Sequence, residues 1–374
     1  LFEKENRLGG RIESCQKAGL FFEKGPRIFP TARSPHLLQL IREVGLEKEI
    51  LFAPSCAKKR YLWTDGALRT FSSFAPHLLF SLFKEPFQPK GKEEDESIAS
   101  FARRRFGEFV TNVLIDPLTL GIYGGDIESL SMRSCFPSLF FLEKEKGRLF
   151  PHLLFQNRST SRLPRFFTLQ RGMSSLIEKL AEKANIQILL NQTVERFEGN
   201  GIVINGTFYT ADLIFSALPL PVIGRLTGLW PHAQAKDLTI AHLAYKGVKL
   251  PKSGFGYLVP SKEKEMLLGM VWESSLFREQ GPPNTTRVTG IIREGGIEVL
   301  KSAMVRHLSI HDEPIFEAVH HVQEAIPQFS VGYWRQLEQF QKEVKQTFPN
   351  VWLLGNYLGS PSVEGCIVEA MNKT

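Results

Sequence analysis

The sequence predicts an α/β fold, with one α/β domain assembled from three separated stretches of chain and two further domains inserted between them. Three observations predict it. Residues 1–11 read as the end of a strand carrying Glu3, followed by a short loop with paired glycines, Gly9 and Gly10. After Arg171-Gly172-Met173 the chain returns to strand and helix alternation. Near the end, the apolar run 351–354 is followed by Gly355, which opens a loop into a terminal helical segment.

The first stretch carries the most chemistry. In a dinucleotide-binding βαβ unit the second strand ends in an acid that hydrogen-bonds a ribose hydroxyl, about 20 residues after a glycine-rich phosphate turn. Glu3 is that acid, which places the turn ahead of Leu1. The sequence therefore reads as lacking the first strand and phosphate loop of such a unit. Residues 37–44 form an apolar helix. The first insert, about 50–170, reads mainly helical. Ala75, Leu78, Leu79, Leu82 and Phe83 share one helical face with Phe80 beside it, and Pro86, Pro89 and the charged run 90–96 end that segment.

In the second stretch, Leu176, Ile177, Leu180 and Ala181 recur at helical spacing before the apolar strand 186–190. Asn200-Gly201 and Asn205-Gly206 mark tight turns around short β runs such as 202–204, and the strand 212–217 ends at Pro219. The second insert, about 239–343, is rich in short β runs at 240–245, 267–272 and 288–292. The expected organisation is 1–48, 171–238 and 344–374 for the nucleotide domain. A helical domain covers 56–155, and a third domain joins 49–55, 156–170 and 239–343.

Composition agrees with a folded chain of two or three domains: 374 residues, 43% hydrophobic and 23% charged. Phe is overused, 29 residues against 7 Tyr and 5 Trp, which suits a large apolar pocket, a membrane-facing surface or dense cores. Cys15, Cys56, Cys135 and Cys366 lack metal-ligand spacing and read as free thiols in a reducing compartment; no metal is expected. No stretch reaches the roughly 18 to 20 apolar residues that span a bilayer. A formal charge of +7 favours anionic partners. The basic residues are dispersed, so anionic lipid or a carboxylate-bearing substrate fits better than nucleic acid.

Candidate site residues follow. Gly9 and Gly10 would let backbone approach a pyrophosphate closely, and Arg7 is either a phosphate partner or a solvated loop residue. The loop from Gly355 leads to a helix N-terminus whose N–H groups suit a negatively charged ring edge. Arg60 is either a surface residue of the run Lys58-Lys59-Arg60 or a carboxylate partner. Phe255, Leu258, Val271 and Ile291 are apolar positions of core or pocket. The segment 71–87 lies either on a membrane surface or on its own domain. No Ser-His-Asp, paired-carboxylate or Cys-His constellation stands out.

Longer motifs sharpen this. Lys24-Gly25-Pro26-Arg27, Arg133-Ser134-Cys135-Phe136-Pro137-Ser138-Leu139, Gly254-Phe255-Gly256-Tyr257-Leu258-Val259-Pro260, Gly332-Tyr333-Trp334 and Gly355-Asn356-Tyr357 running to Cys366-Ile367 recur along nearly the whole chain. In that order they resemble the oxygen-dependent protoporphyrinogen oxidase family of the FAD-dependent amine oxidase superfamily. The resemblance implies a discontinuous Rossmann-like FAD-binding domain, an inserted α+β substrate domain and a helical membrane-associating domain. It implies FAD held by Glu3, Arg7, Gly9 and Gly10, by Gly25, Arg27 and Val194, and by Trp334, Gly355 and Val363. It implies a porphyrinogen bound by Arg60, through a propionate, beneath Gly121 and between Phe255, Leu258, Val271 and Ile291. Two departures stand out: Gly365 replaces the family's Asp, and Leu120 stands where some members have Arg.

The implied reaction carries hydride from a meso carbon to the flavin, reoxidised by dioxygen to hydrogen peroxide, with no catalytic side chain. The implied setting is cytoplasmic with peripheral membrane contact and no nucleic acid, leaving a homodimer open. Oxidation of coproporphyrinogen is the alternative reaction. A porphyrin-binding scaffold without catalysis is the alternative of another class.

Overall fold

A computed structural model describes residues 1–150, 164–230 and 232–373. The expected stretch 156–170 therefore lies partly outside the described residues. Among those described, the fold is a mixed α/β arrangement dominated by one seven-stranded sheet. Its strands run in the order Phe316–Pro327, Ala235–Lys246, Thr285–Ile292, Leu267–Val271, Gly256–Leu258, Arg60–Thr64 and Ala67–Thr70. All neighbours are antiparallel except Gly256–Leu258 with Arg60–Thr64, which run parallel.

Side-chain alternation explains how this sheet divides the molecule. Successive strand residues point to opposite faces. Ala241, Leu243 and Tyr245 pack into a core with Tyr257, Met304 and Leu308 beneath the helix Ile297–Leu308. From the other face, Leu238, Ile240, Leu258 and Ile291 look into a cavity. Gly256, with φ +137, lets its strand lie close to Leu267–Val271: a Cβ there would sit 2.0 Å from the Met270 carbonyl oxygen.

The nucleotide region is built from smaller pieces. Phe2 bridges Leu189 in parallel, and Ile214–Ser216 pairs in parallel with Val351–Leu353. The strand expected over 186–190 reduces to that single bridge. The helix expected near 37–44 spans Pro35–Glu43, with Pro35 in its first turn and Leu37, Leu38 and Ile41 buried. Its unpaired N–H groups at His36 and Leu37 donate to the Glu364 carboxylate at 3.1 and 2.9 Å, so one helix caps another. The helix of 174–183 and the hairpins Val194–Glu198, Gly201–Ile204 and Thr207–Thr210 follow. The first hairpin turns at Gly199-Asn200, one residue before the expected place, because Gly199 takes the left-handed conformation (φ +56).

One expectation is corrected. The helical stretch does not begin at residue 56: Arg60–Thr64 and Ala67–Thr70 are strands that complete the seven-stranded sheet. Helices then follow, among them Ala75–Lys84, Ile98–Val110, Asp116–Tyr123 and Pro137–Lys146. No helix among the described residues is long and apolar enough to cross a membrane.

Candidate functional site: a two-ended cavity

A single cavity of about 2430 Å³ runs between the nucleotide region and the open face of the seven-stranded sheet. Small-molecule sites are commonly about 300–1,000 Å³, so this one has room for more than one ligand. Among the described residues no His/Cys/Asp/Glu group could hold a metal.

At one end, Glu3, Gly9, Gly10, Val194, Gly355 and Val363 line the wall together. The beginning and the tail of the chain therefore meet. The Glu3 carboxylate accepts from the Glu5 N–H at 2.9 Å, while its backbone is fixed by Leu189 and Gln192. Gly9 (φ +107) and Gly10 (φ +54) lie in conformations that favour glycine, and a Cβ at Gly9 would stand 2.7 Å from the Ile12 carbonyl oxygen. Gly25 is tighter: a Cβ there would lie 1.9 Å from the Arg11 carbonyl oxygen. Arg7 is not an unpaired cation. Its guanidinium donates to the carbonyls of Leu8 and Ile12 at 3.2 Å and of Gly10 at 2.9 Å, and pairs with Glu13 at 2.8 Å. It clasps the glycine loop from within.

The helix Val363–Met371 presents its first turn to this end, with Ser362 capping through the Gly365 N–H at 3.0 Å. The absence of a side chain at Gly365 has a steric cause. The loop folds so that a Cβ there would meet the Ser360 carbonyl oxygen at 2.3 Å. The Ser216 hydroxyl, at the end of Ile214–Ser216, is buried on the cavity wall without a partner among the described residues. Glycine cradles, a helix N-terminus and an unpartnered buried hydroxyl fit a flavin dinucleotide.

Between the two ends stands Arg27. It lines the cavity and pairs with Glu273 at 3.2 Å. Glu273 also accepts from the Thr289 hydroxyl at 2.9 Å, and that hydroxyl meets His242 Nδ1 at 2.9 Å. Burial, with Arg27 next in importance, pulls His242 well below its ordinary value and keeps it neutral. Close by, Glu23 is buried and accepts from the Ser14 hydroxyl and the Met173 N–H at 2.9 and 2.8 Å. Burial pushes its carboxyl up to about 7, against those hydrogen bonds and Arg27.

At the other end, Arg60, Gly121, Phe255, Leu258, Val271 and Ile291 share the same cavity. The Arg60 guanidinium lies over the rings of Phe166 and Phe255 at 4.9 and 5.1 Å. Its Nε is buried without a hydrogen-bond partner among the described residues. Burial, followed by the neighbouring Arg165 and Arg33, lowers its pKa from the usual value. Gly121 brings the helix Asp116–Tyr123 against Leu258, where a Cβ would come within 3.1 Å of a methyl group. The Thr119 hydroxyl on that helix is also buried on the wall and unpartnered among the described residues.

One expectation is corrected. Trp334 is not on the cavity wall; Arg133 lies over its indole at 3.5 Å and Arg335 at 5.1 Å. Its neighbour Tyr333 is the buried residue, donating to the Tyr357 carbonyl at 2.7 Å. Leu120, where some members have Arg, is buried and off the cavity wall. Sequence reasoning missed Arg33, Thr119, Ser216 and Glu273. None lies in a local motif, and only the fold brings them to the site.

The chain is similar to known proteins along its length. It is 30% identical to human protoporphyrinogen oxidase, covering 98% of this chain and 90% of that protein. It is 23% identical to the coproporphyrinogen III oxidase of Bacillus subtilis (strain 168), covering 98% and 88%. A solved structure from Exiguobacterium sp. 255-15 superposes with a TM-score of 0.84 at 19% identity, covering 100% of this chain and 91% of that one. The pattern of the flavin containing amine oxidoreductases matches residues 1–372, and the chain belongs to that family.

Proposed function

We propose that this protein is an FAD-dependent porphyrinogen oxidase of haem biosynthesis, oxidising protoporphyrinogen IX to protoporphyrin IX with dioxygen reduced to hydrogen peroxide. The observation that carries this reading is the half-buried Arg60 guanidinium, which lies over two adjacent aromatic rings with its buried Nε unpartnered among the described residues, in a cavity with room for a second large ligand. A buried charge without a protein partner is costly, and a ligand carboxylate removes that cost. The apolar walls at Phe255, Leu258, Val271 and Ile291 suit a greasy macrocycle bearing acids on one edge.

The FAD end would be held by Glu3 toward the ribose and by the Gly9-Gly10 loop toward the pyrophosphate. Val363 and its helix would face the ring. Bound flavin supplies the two-electron acceptor. The chain's own part is positioning and exclusion of water. Arg60 anchors one propionate, Gly121 lets its helix pack against Leu258 on the wall facing the macrocycle, and the apolar walls keep the reacting edge dry. Arg27 stays oriented between the two ends through Glu273 and Thr289.

The test is direct. Purified protein loaded with flavin should bleach near 450 nm when protoporphyrinogen is added anaerobically, and recover on exposure to air; an unbleached flavin sinks the reading. Coproporphyrinogen III is the second substrate reading, favoured by the likeness to the Bacillus subtilis enzyme. The ratio of kcat/KM for the two substrates decides between them.

Peripheral membrane contact belongs to the same proposal. On the helix Ala75–Lys84 and the turn after it, Leu79, Phe80, Phe83 and Phe87 are exposed, the last two by 72% and 82%. The apolar face expected from sequence thus divides: Ala75, Leu78 and Leu82 are half-buried, while Leu79, Phe80 and Phe83 face outward. An exposed apolar group of this kind suits a lipid interface. Phe83→Ser with Phe87→Ser should abolish flotation with vesicles containing anionic lipid; unchanged flotation removes this contact.

A further inference from the structure

Arg60 does not stand alone. The small sheet of Phe29–Pro30, Phe166–Leu169 and Ile50–Phe52 sets Pro30 opposite Phe166. Thr31 continues the contact: its N–H donates to the Arg165 carbonyl at 3.0 Å and its hydroxyl to the Pro164 carbonyl at 2.6 Å. This brings the turn Thr31–Arg33 and the residue before Phe166 to one edge of that sheet, beside the ring on which Arg60 rests. Arg33 lines the cavity with Arg60, and both Arg33 and Arg165 are exposed.

Among the described residues, no ion pair or side-chain hydrogen bond engages any of these three arginines. The sequence of 151–163 contains neither Asp nor Glu. Elsewhere buried or half-buried arginines have protein partners: Arg105 pairs with Glu85 and Glu143, Arg27 pairs with Glu273, and Arg287 donates to the carbonyls of Phe21 and Phe277. The proximity of Arg165 and Arg33 adds to burial in disfavouring charge on Arg60. Three like charges gathered without a counter-ion repel one another, and a doubly anionic ligand edge would neutralise them.

We infer that Arg33 and Arg165 extend the Arg60 site into a clamp for two adjacent carboxylates. Arg60 takes one over the aromatic rings, and the exposed pair, Arg33 on the cavity wall and Arg165 beside it, takes its neighbour. This rests on the porphyrinogen reading and deepens it, because the clamp reads the acid edge of the macrocycle rather than its apolar body. Arg33 and Arg165 are specificity-determining residues here. The exposed pair contributes less than Arg60, since water screens it.

The experiment uses the full chain and product porphyrins, followed by their absorbance shift on binding. Relative to wild type, Arg33→Met with Arg165→Met should raise the Kd for protoporphyrin and coproporphyrin about fivefold to tenfold. The Kd for protoporphyrin dimethyl ester should not move. Arg33→Lys with Arg165→Lys should restore most of the acid affinity, and added salt should weaken wild type more than the double Met variant. Unchanged acid affinity, or equal losses for acid and ester, overturns the clamp while leaving the oxidase reading intact. A wild type that binds neither acid overturns the porphyrinogen reading and the clamp with it.

Discussion

The two ends of the cavity hold arginines in opposite states. Toward the nucleotide end, Arg7 is spent on loop carbonyls and Glu13 and Arg11 donates to the carbonyls of Gln323 and Glu324, while between the ends Arg27 is paired with Glu273. Toward the sheet, Arg60 has aromatic neighbours and, among the described residues, no acid partner, with Arg33 and Arg165 beside it. A guanidinium already neutralised by protein builds the wall; one left uncompensated awaits a charge from outside. The contrast suggests that the first end recognises its ligand mainly with backbone, and the second with side-chain charge.

The largest effect should come from the backbone at the first end. Gly25→Ala places a methyl where the Arg11 carbonyl oxygen stands, only 1.9 Å away. The two strands of chain cannot both keep their paths, and the glycine loop must shift. A loss of about 3 kcal/mol of stability is expected, with flavin content falling to a small fraction of wild type. Thermal melting and absorbance at 450 nm per mole of protein measure both. Wild-type values for the two would show that this approach does not shape the site.

Arg60→Met tests the second end and has an unusual expected pair of outcomes. Affinity for porphyrin should fall by about 10- to 100-fold, the worth of a hydrogen-bonded charge pair, with KM rising more than kcat falls. Stability without ligand should hold or rise, because a half-buried charge with no acid partner among the described residues is removed. Arg27→Met should do the reverse. It leaves Glu273 with the Thr289 hydroxyl as its side-chain hydrogen bond among the described residues and Arg287 as a nearby cation that does not bond it, so stability should drop by about 2 kcal/mol. Adding Glu273→Gln should recover part of that loss. Equal signs for Arg60→Met and Arg27→Met in thermal melting would erase the distinction between paired and uncompensated arginines.

What could be read from sequence divides along the same line. Gly9, Gly10 and Gly355 are legible because a backbone conformation is demanded locally, and helices such as Pro35–Glu43 announce themselves by period. Charge compensation is not legible, since Arg27 and Glu273 lie 246 residues apart and nothing local to either predicts the other. The strands of 60–70 hid inside a helical stretch for the same reason: Arg60–Thr64 is held by a parallel partner near residue 257. Trp334 failed by one residue. A step along an α-helix turns the side chain by about 100°, which buries Tyr333 and sends Trp334 to stack with arginines outside.

Glu23 gives the smallest effect, and one that only pH exposes. Its carboxyl is buried next to the Arg27–Glu273 pair, with a pKa pushed up to about 7 from 4.5, chiefly by burial. Between those values the folded protein holds a proton that the unfolded chain has released, so stability falls as pH rises from 4.5 and levels off above about 7. Glu23→Gln removes the titration and hence the slope. At pH 8 the variant avoids a buried carboxylate but makes weaker hydrogen bonds to Ser14 and Met173. A net gain of about 1 kcal/mol is expected there, shrinking to nothing or reversing near pH 4.5. Melting temperatures for the two proteins across this range should therefore diverge with rising pH. Parallel curves would mean that Arg27 compensates Glu23 as well as Glu273, and that the first end holds its acids charged.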